Sequence, residues 1–202
     1  ALEWVPLDEV ESLPLHPGFA SSWPMLRRLL AERVTLVVDA ANVVGSVPDG
    51  WWKDRAGATL RLISRVSGVG VPAEAVGLDG TIWFPTVSMV VEGQARAVES
   101  DGAGVAIVRA DAAGDDAIVA EAERRVAAGE RVVAVTSDRE LVGRLERVNV
   151  TAVRSAGWLL DLIHRRAVAE QEQRLSQAGF LLDLQAALMA EPDAERALFT
   201  LV

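Results

Sequence analysis

The sequence predicts an α/β fold: a central, mainly parallel sheet of about five strands, flanking helices, and further helices at the carboxyl end. Three observations carry that expectation. Short β-branched runs recur through the middle of the chain, segments of helical periodicity lie between them, and Gly, Asp or Asn stands at many of the joins. Strands alternating with helical stretches of roughly 10–15 residues imply βαβ units and parallel pairing.

Residues 1–32 have a different texture, with Pro6, Pro14, Pro17 and Pro24 and a short helical stretch around Trp23 to Ala31. From Arg33 the alternation begins. Val34 to Val38 is the first strand, a run suited to burial on both faces. Asp54 to Val66 has Ala58, Leu62 and Val66 at helical spacing. Trp83 to Val91 is a second apolar run, with Pro85 placing its start at an edge. Gly104 to Ala110 is the third strand, Asp115 to Ala128 an amphipathic helix stopped by Gly129, and Arg131 to Val135 the fourth strand. Asp138 to Leu145 is a helix, Val150 to Arg154 the fifth strand, and Trp158 to Arg166 the start of another helix. The remainder reads as helices broken near Gly179 and Pro192, with Phe180, Leu181, Leu184 and Leu188 serving a core or a homodimer surface. Three segments follow: an N-terminal extension 1–32, an α/β domain 33–166, and a helical extension 167–202.

The 202 residues hold one such domain with its flanking helices. No apolar run approaches the ~20 residues that cross a bilayer, so no membrane is expected. Charges at Glu3, Asp8, Glu9 and Glu11 do not read as a signal peptide. The chain has no cysteine, which excludes disulfides and thiolate metal sites and fits a cytoplasmic protein. With two histidines, an imidazole-rich zinc site is not expected, and any metal would sit among oxygen ligands, as magnesium or manganese does. The net charge of −9 argues against tight binding to long nucleic acid, although all the cations but Lys53 are arginines, the better phosphate fork.

In open parallel sheets, ligands bind outside the carboxyl ends of the strands. Asp39 stands there after the first strand, the pair Asp115-Asp116 after the third, and Asp138 after the fourth, with Asn42 and Ser137 adding neutral oxygens. Crowded carboxylates resist ionisation unless a cation joins them, and a hard divalent ion prefers such ligands. Each residue also has a purely structural reading. Asp115 or Asp116 would cap a helix. Ser137 with Glu140 matches a capping box, the favoured role for that serine. Asp39 alone has no evident capping task.

Val37-Val38-Asp39-Ala40-Ala41-Asn42 resembles the opening motif of NYN domains, a branch of the PIN-like ribonucleases. Gly114-Asp115-Asp116-Ala117-Ile118-Val119 and Val135-Thr136-Ser137-Asp138-Arg139-Glu140-Leu141 resemble their second and third acidic motifs. The likeness spans about residues 33–165 in matching order. It implies a PIN-like three-layer fold and a Mg2+- or Mn2+-dependent ribonuclease. Asp39, Asp116 and Asp138 would be its catalytic metal ligands, with Asp115 and Asn42 orienting the metal or its water. Related flap-type nucleases carry Glu-Ala-Asp-Asp in the middle motif and a second aspartate in the last; here Ala113 and Glu140 stand at those places. Trp4 to Val10 and Leu13 to Phe19 resemble the end of a Nudix hydrolase domain, which implies a Nudix domain in cis, but the glutamate-rich Nudix box is absent.

Trp51, Trp52, Lys53 and Arg55 follow the first strand and are suited to stack a base and grip a phosphate of an RNA substrate, or else to pack the sheet edge. Arg139 is a further phosphate candidate. Glu92, at the end of the second run, would ligate or pair with Arg96. Competing readings are an inactive scaffold for a protein partner and a small-substrate phosphohydrolase.

Overall fold

The computed structural model describes residues 4–99 and 104–190. After a 3-10 turn at Val10–Ser12, α1 (Pro17–Ala31) begins six residues before Trp23, because Pro17 opens a helix that the His16 ring caps by accepting the Gly18 N–H. Next come β1 (Val34–Asp39), α2 (Ala40–Gly45), a 3-10 turn at Trp51–Lys53, and α3 (Arg55–Val66). Then follow β2 (Val71–Pro72), a 3-10 turn at Ala73–Val76, β3 (Ile82–Trp83), β4 (Thr86–Val91) and a 3-10 turn at Gly93–Ala97. The chain continues through β5 (Val105–Arg109), α4 (Gly114–Ala127), β6 (Arg131–Val135), α5 (Arg139–Arg147), β7 (Ala152–Arg154) and α6 (Ala156–Ala190).

Five strands form one sheet in the order β5-β4-β1-β6-β7, and every pairing is parallel. The second apolar run is not one strand. Pro85 divides it, so that Ile82–Trp83 pairs antiparallel with Val71–Pro72 in a separate ribbon while Thr86–Val91 joins the central sheet. Leu36, Val37 and Val38 have no exposed surface, as expected of a strand covered on both faces. On one face Val37, Val90, Val132 and Ala134 pack with Ile118 and Ala122 of α4 and with Leu141 and Leu145 of α5. Strand alternation turns Leu36, Val38 and Met89 to the other face, the side of α2 and α3, where Val43, Leu62, Ile63 and Val66 are buried.

From β1 the chain builds outward through β4 to β5, then crosses back to β6 and β7 on the other side. The direction of winding therefore reverses between β1 and β6, and the crevice beyond their carboxyl ends is the expected ligand position. Toward the amino-terminal side of the sheet lies a buried polar network. Glu121 accepts hydrogen bonds from Ser88 Oγ (2.7 Å), Arg124 and Arg125 (2.8 Å), and Arg125 reaches on to Glu130, which also accepts from Thr35.

The chain divides into two compact units between Leu159 and Leu160. Beyond that point α6 continues to Ala190 without the break expected near Gly179; a lone glycine costs about 1 kcal/mol against alanine, and Ala, Gln, Leu and Met around it favour helix. Phe180 and Leu181 are exposed, not core. The break expected at Pro192 lies outside the described residues. Among the described residues no helix is long and apolar enough to cross a membrane.

Candidate functional site: the carboxylate edge

The last residue of β1 is Asp39, and its carboxylate is held from two sides. Oδ1 accepts the Asn42 N–H at 3.0 Å and Oδ2 accepts the Thr136 hydroxyl at 2.9 Å. Asp39 therefore does cap a helix, the six-residue α2, which is too short for hydrophobic periodicity to announce. Capping uses one oxygen only. Thr136, buried at the end of β6, uses the same Oγ1 to accept the Asp138 N–H at 3.2 Å, so one hydroxyl joins the first and last acidic positions. Asn42 adds a second tie between the two strand ends, its Oδ1 accepting the Ser137 N–H at 2.9 Å.

Asp138, not Ser137, caps α5: its Oδ1 accepts the N–H groups of Glu140 (2.8 Å) and Leu141 (3.0 Å). The capping-box expectation for Ser137 and Glu140 fails because Ser137 lies one residue too early. Its Oγ instead accepts the Ala156 N–H at 3.1 Å and fixes the start of α6.

Asp115 and Asp116 lie in the first turn of α4, and neither caps it; the N-cap position is Ala113. The two diverge. Asp116 is exposed and bound to Arg144 of α5 at 2.6 Å. Asp115 is half-buried and faces the acidic group: burial raises its carboxyl above the ordinary value, and the charges of Asp138, Glu92 and Glu140 push the same way, against Arg144. Asp39 is likewise raised, by burial first, with Asp115 and Glu92 adding to the rise and the Asn42 and Thr136 hydrogen bonds opposing it. The acidic group is thus Asp39, Asp115, Asp138 and Glu92, with Asp116 drawn aside.

Glu92 is the member that sequence reasoning left undecided. It does not pair with Arg96, which lies by Asp111 at 3.9 Å. Its Oε2 accepts the Gly114 N–H at 3.0 Å, and a Cβ on Gly114 would stand 2.6 Å from that oxygen, so the glycine makes the approach possible. The signal for this was available in Gly114 immediately before the acidic pair. Among the described residues, no three carboxylates or imidazoles stand close enough together to hold a metal ion as the side chains lie.

A comparison with solved structures places this architecture beside a known one. The chain resembles Rae1 (YacP) from Bacillus subtilis. A single-substitution variant of that protein superposes with a TM-score of 0.50 at 17% identity, over 71% of this chain and 84% of that one. Unsubstituted Rae1 gives a TM-score of 0.47 at 16% identity, over 82% and 91% of the two chains. The first likeness establishes the shared fold, consistent with the PIN-like expectation. No family model matches the chain, and no curated protein does.

Beside the acidic edge, Trp51 and Trp52 meet edge-on, with centroids 6.2 Å apart, and the Arg55 guanidinium lies 5.1 Å from the Trp51 ring centre. Trp52 and Lys53 are exposed. Among the described residues neither Lys53 nor Arg139 has an ion-pair partner.

Proposed function

We propose that this chain is a nuclease that hydrolyses phosphodiester bonds, with RNA as substrate and Mg2+ or Mn2+ at the acidic edge. The observation that carries this reading is the placement of Asp39, Asp115 and Asp138 along the carboxyl edge of the sheet, where burial, with Asp115 acting on Asp39 and Asp138 on Asp115, raises two of the three above their ordinary range. Such repulsion is relieved by a cation. The donors fit a hard divalent ion in kind, being carboxylates with no thiolate or imidazole among them. Asp39, Asp115 and Asp138 would hold it, after side-chain rotation, with Glu92 within the same field. Asp116 would join them only on leaving Arg144.

When bound, such an ion supplies charge stabilisation for the transferring phosphoryl oxygens and a more acidic water. The chain's own residues supply the geometry. Thr136 and the Asn42 N–H fix the Asp39 carboxylate, the α5 amino terminus orients Asp138, and the Asn42 side chain holds the two strand ends in register. Lys53, Arg55 and Arg139 are the cations available to phosphates. The comparisons give no support to the Nudix likeness of residues 1–32, and no Nudix box is present in the sequence, so pyrophosphohydrolysis is not part of the reading.

The test is cleavage of a labelled single-stranded RNA. Cleavage is expected with Mg2+ or Mn2+, should be lost in EDTA, and should return on metal add-back. The Arg144–Asp116 pair favours a second reading, in which a carboxylate neutralised by the chain itself leaves a scaffold for a protein partner. No cleavage by a folded protein with either metal would favour that reading and sink the first.

A further inference from the structure

A cavity of about 250 Å3 opens between α2, the Trp51 turn, α3 and the end of β4, with Ala40, the residue after Asp39, and Glu92 in its lining. Ala40, Ala41 and Val44 line it with small apolar side chains, Trp51 and Arg55 bring two planar groups, and Glu92 brings an acceptor. Its volume lies below the ~300–1,000 Å3 of pockets that hold drug-sized ligands, so it suits one flat ring system. Three contacts support the aromatic wall. The main-chain N–H of Trp51 donates to Asp49 Oδ1 at 3.1 Å, the ring passes close over Gly45, and Trp52 meets it edge-on. An apolar slot with an aromatic face, a guanidinium plane and one acceptor is a surface on which nucleobases stack.

We propose that this cavity receives one unstacked nucleobase of a single-stranded substrate, seated against Trp51 and Arg55, with its phosphate directed toward the acidic edge. The proposal rests on the nuclease reading for the substrate class. A base paired in a duplex has both faces stacked and its edge engaged, so it must be flipped out before it can enter. Ala40 directly follows Asp39 in the chain and Glu92 lines the cavity, so the cavity adjoins the acidic edge.

The experiment avoids both cleavage and metal. Alanine methyl and tryptophan indole resonances of the protein in EDTA are titrated with adenosine monophosphate, and separately with ribose 5-phosphate, for wild type, Ala41→Leu and Trp51→Ala. Ala41 is exposed at the cavity mouth, so leucine there fills the slot without disturbing the core. The expected result is nucleotide-induced shifts at Ala40, Ala41 and Trp51, no matching response to ribose 5-phosphate, and affinity roughly 10- to 100-fold weaker in both variants. No shifts at these residues, equal response to ribose 5-phosphate, or undiminished binding by Ala41→Leu would each overturn the proposal. Nucleotide binding here by a protein that cleaves no RNA would uphold the pocket while sinking the nuclease reading. Cleavage without nucleotide binding would do the reverse.

Discussion

Asp39→Asn is expected to abolish metal-dependent RNA cleavage, by ~10³-fold or more, while leaving the fold intact and no less stable in EDTA. The first part follows from the loss of a charge that would contact the metal directly, a contribution of several kcal/mol to the transition state. The second follows from the direction of the Asp39 shift. Its carboxyl is raised in the folded chain, so ionising it costs stability, and that cost is present at every pH above its ordinary range. Asparagine removes the charge yet keeps an oxygen to accept the Asn42 N–H, and its amide can donate to Thr136. Activity and melting temperature in EDTA are the two readouts. A variant that melts well below wild type would mean that the hydrogen bonds outweigh the buried charge. A variant that cleaves at the wild-type rate would remove Asp39 from the site.

The second large effect lies at the other end of the sheet. Burial alone would raise the Glu121 carboxyl, but hydrogen bonds from Arg124, Arg125 and Ser88 outweigh it and hold it at about 2. Against an ordinary value near ~4.3, this is worth about 2–3 kcal/mol, allowing for solvent screening at the exposed Arg124. A depressed carboxyl stabilises the fold above its ordinary range, and the stabilisation is lost as pH falls toward about 2. Glu121→Gln should therefore lower the melting temperature at pH 7 by roughly 5–10 °C, and its deficit against wild type should shrink between about pH 4.5 and 2. Denaturation series across that range read both. Equal stability at neutral pH, or a deficit that ignores pH, would contradict the role given to this network.

Much of this was legible from sequence because the periodicities are clean. Val34–Val38 and Arg131–Val135 are runs that only a doubly covered strand explains, and the helices between them keep an apolar face against the sheet. Their order puts Asp39, the pair Asp115-Asp116 and Asp138 on one edge. The resemblance favours Asp116 as the ligand of the pair, whereas in the structure Asp115 faces the other carboxylates and Asp116 is held by Arg144. What was hidden depends on a few atoms each. The helix α2 is six residues long and has no period to read, so its cap by Asp39 was invisible. Which member of Asp115-Asp116 turns inward is decided by Arg144, a residue 28 positions away from its partner Asp116. Thr136 has no role of its own in the sequence of the third motif; its importance comes from one hydroxyl that faces Asp39 and the Asp138 amide together. For Glu92 the sequence leaves two roles open, and the choice depends on β4 lying beside β1 and on Gly114 being bare enough to let the carboxylate close.

The central claim is that these strand ends form one site for a hard cation, and Mn2+ binding followed by electron paramagnetic resonance tests it most directly. Wild type should bind Mn2+ at a site that Mg2+ competes for, with affinity at least ~10-fold weaker in both Asp39→Asn and Asp115→Asn. Asp116→Asn should bind more nearly like wild type, since that carboxylate is already held by Arg144. Absence of Mn2+ binding by the folded wild type, or binding untouched by Asp39→Asn and Asp115→Asn, would contradict it.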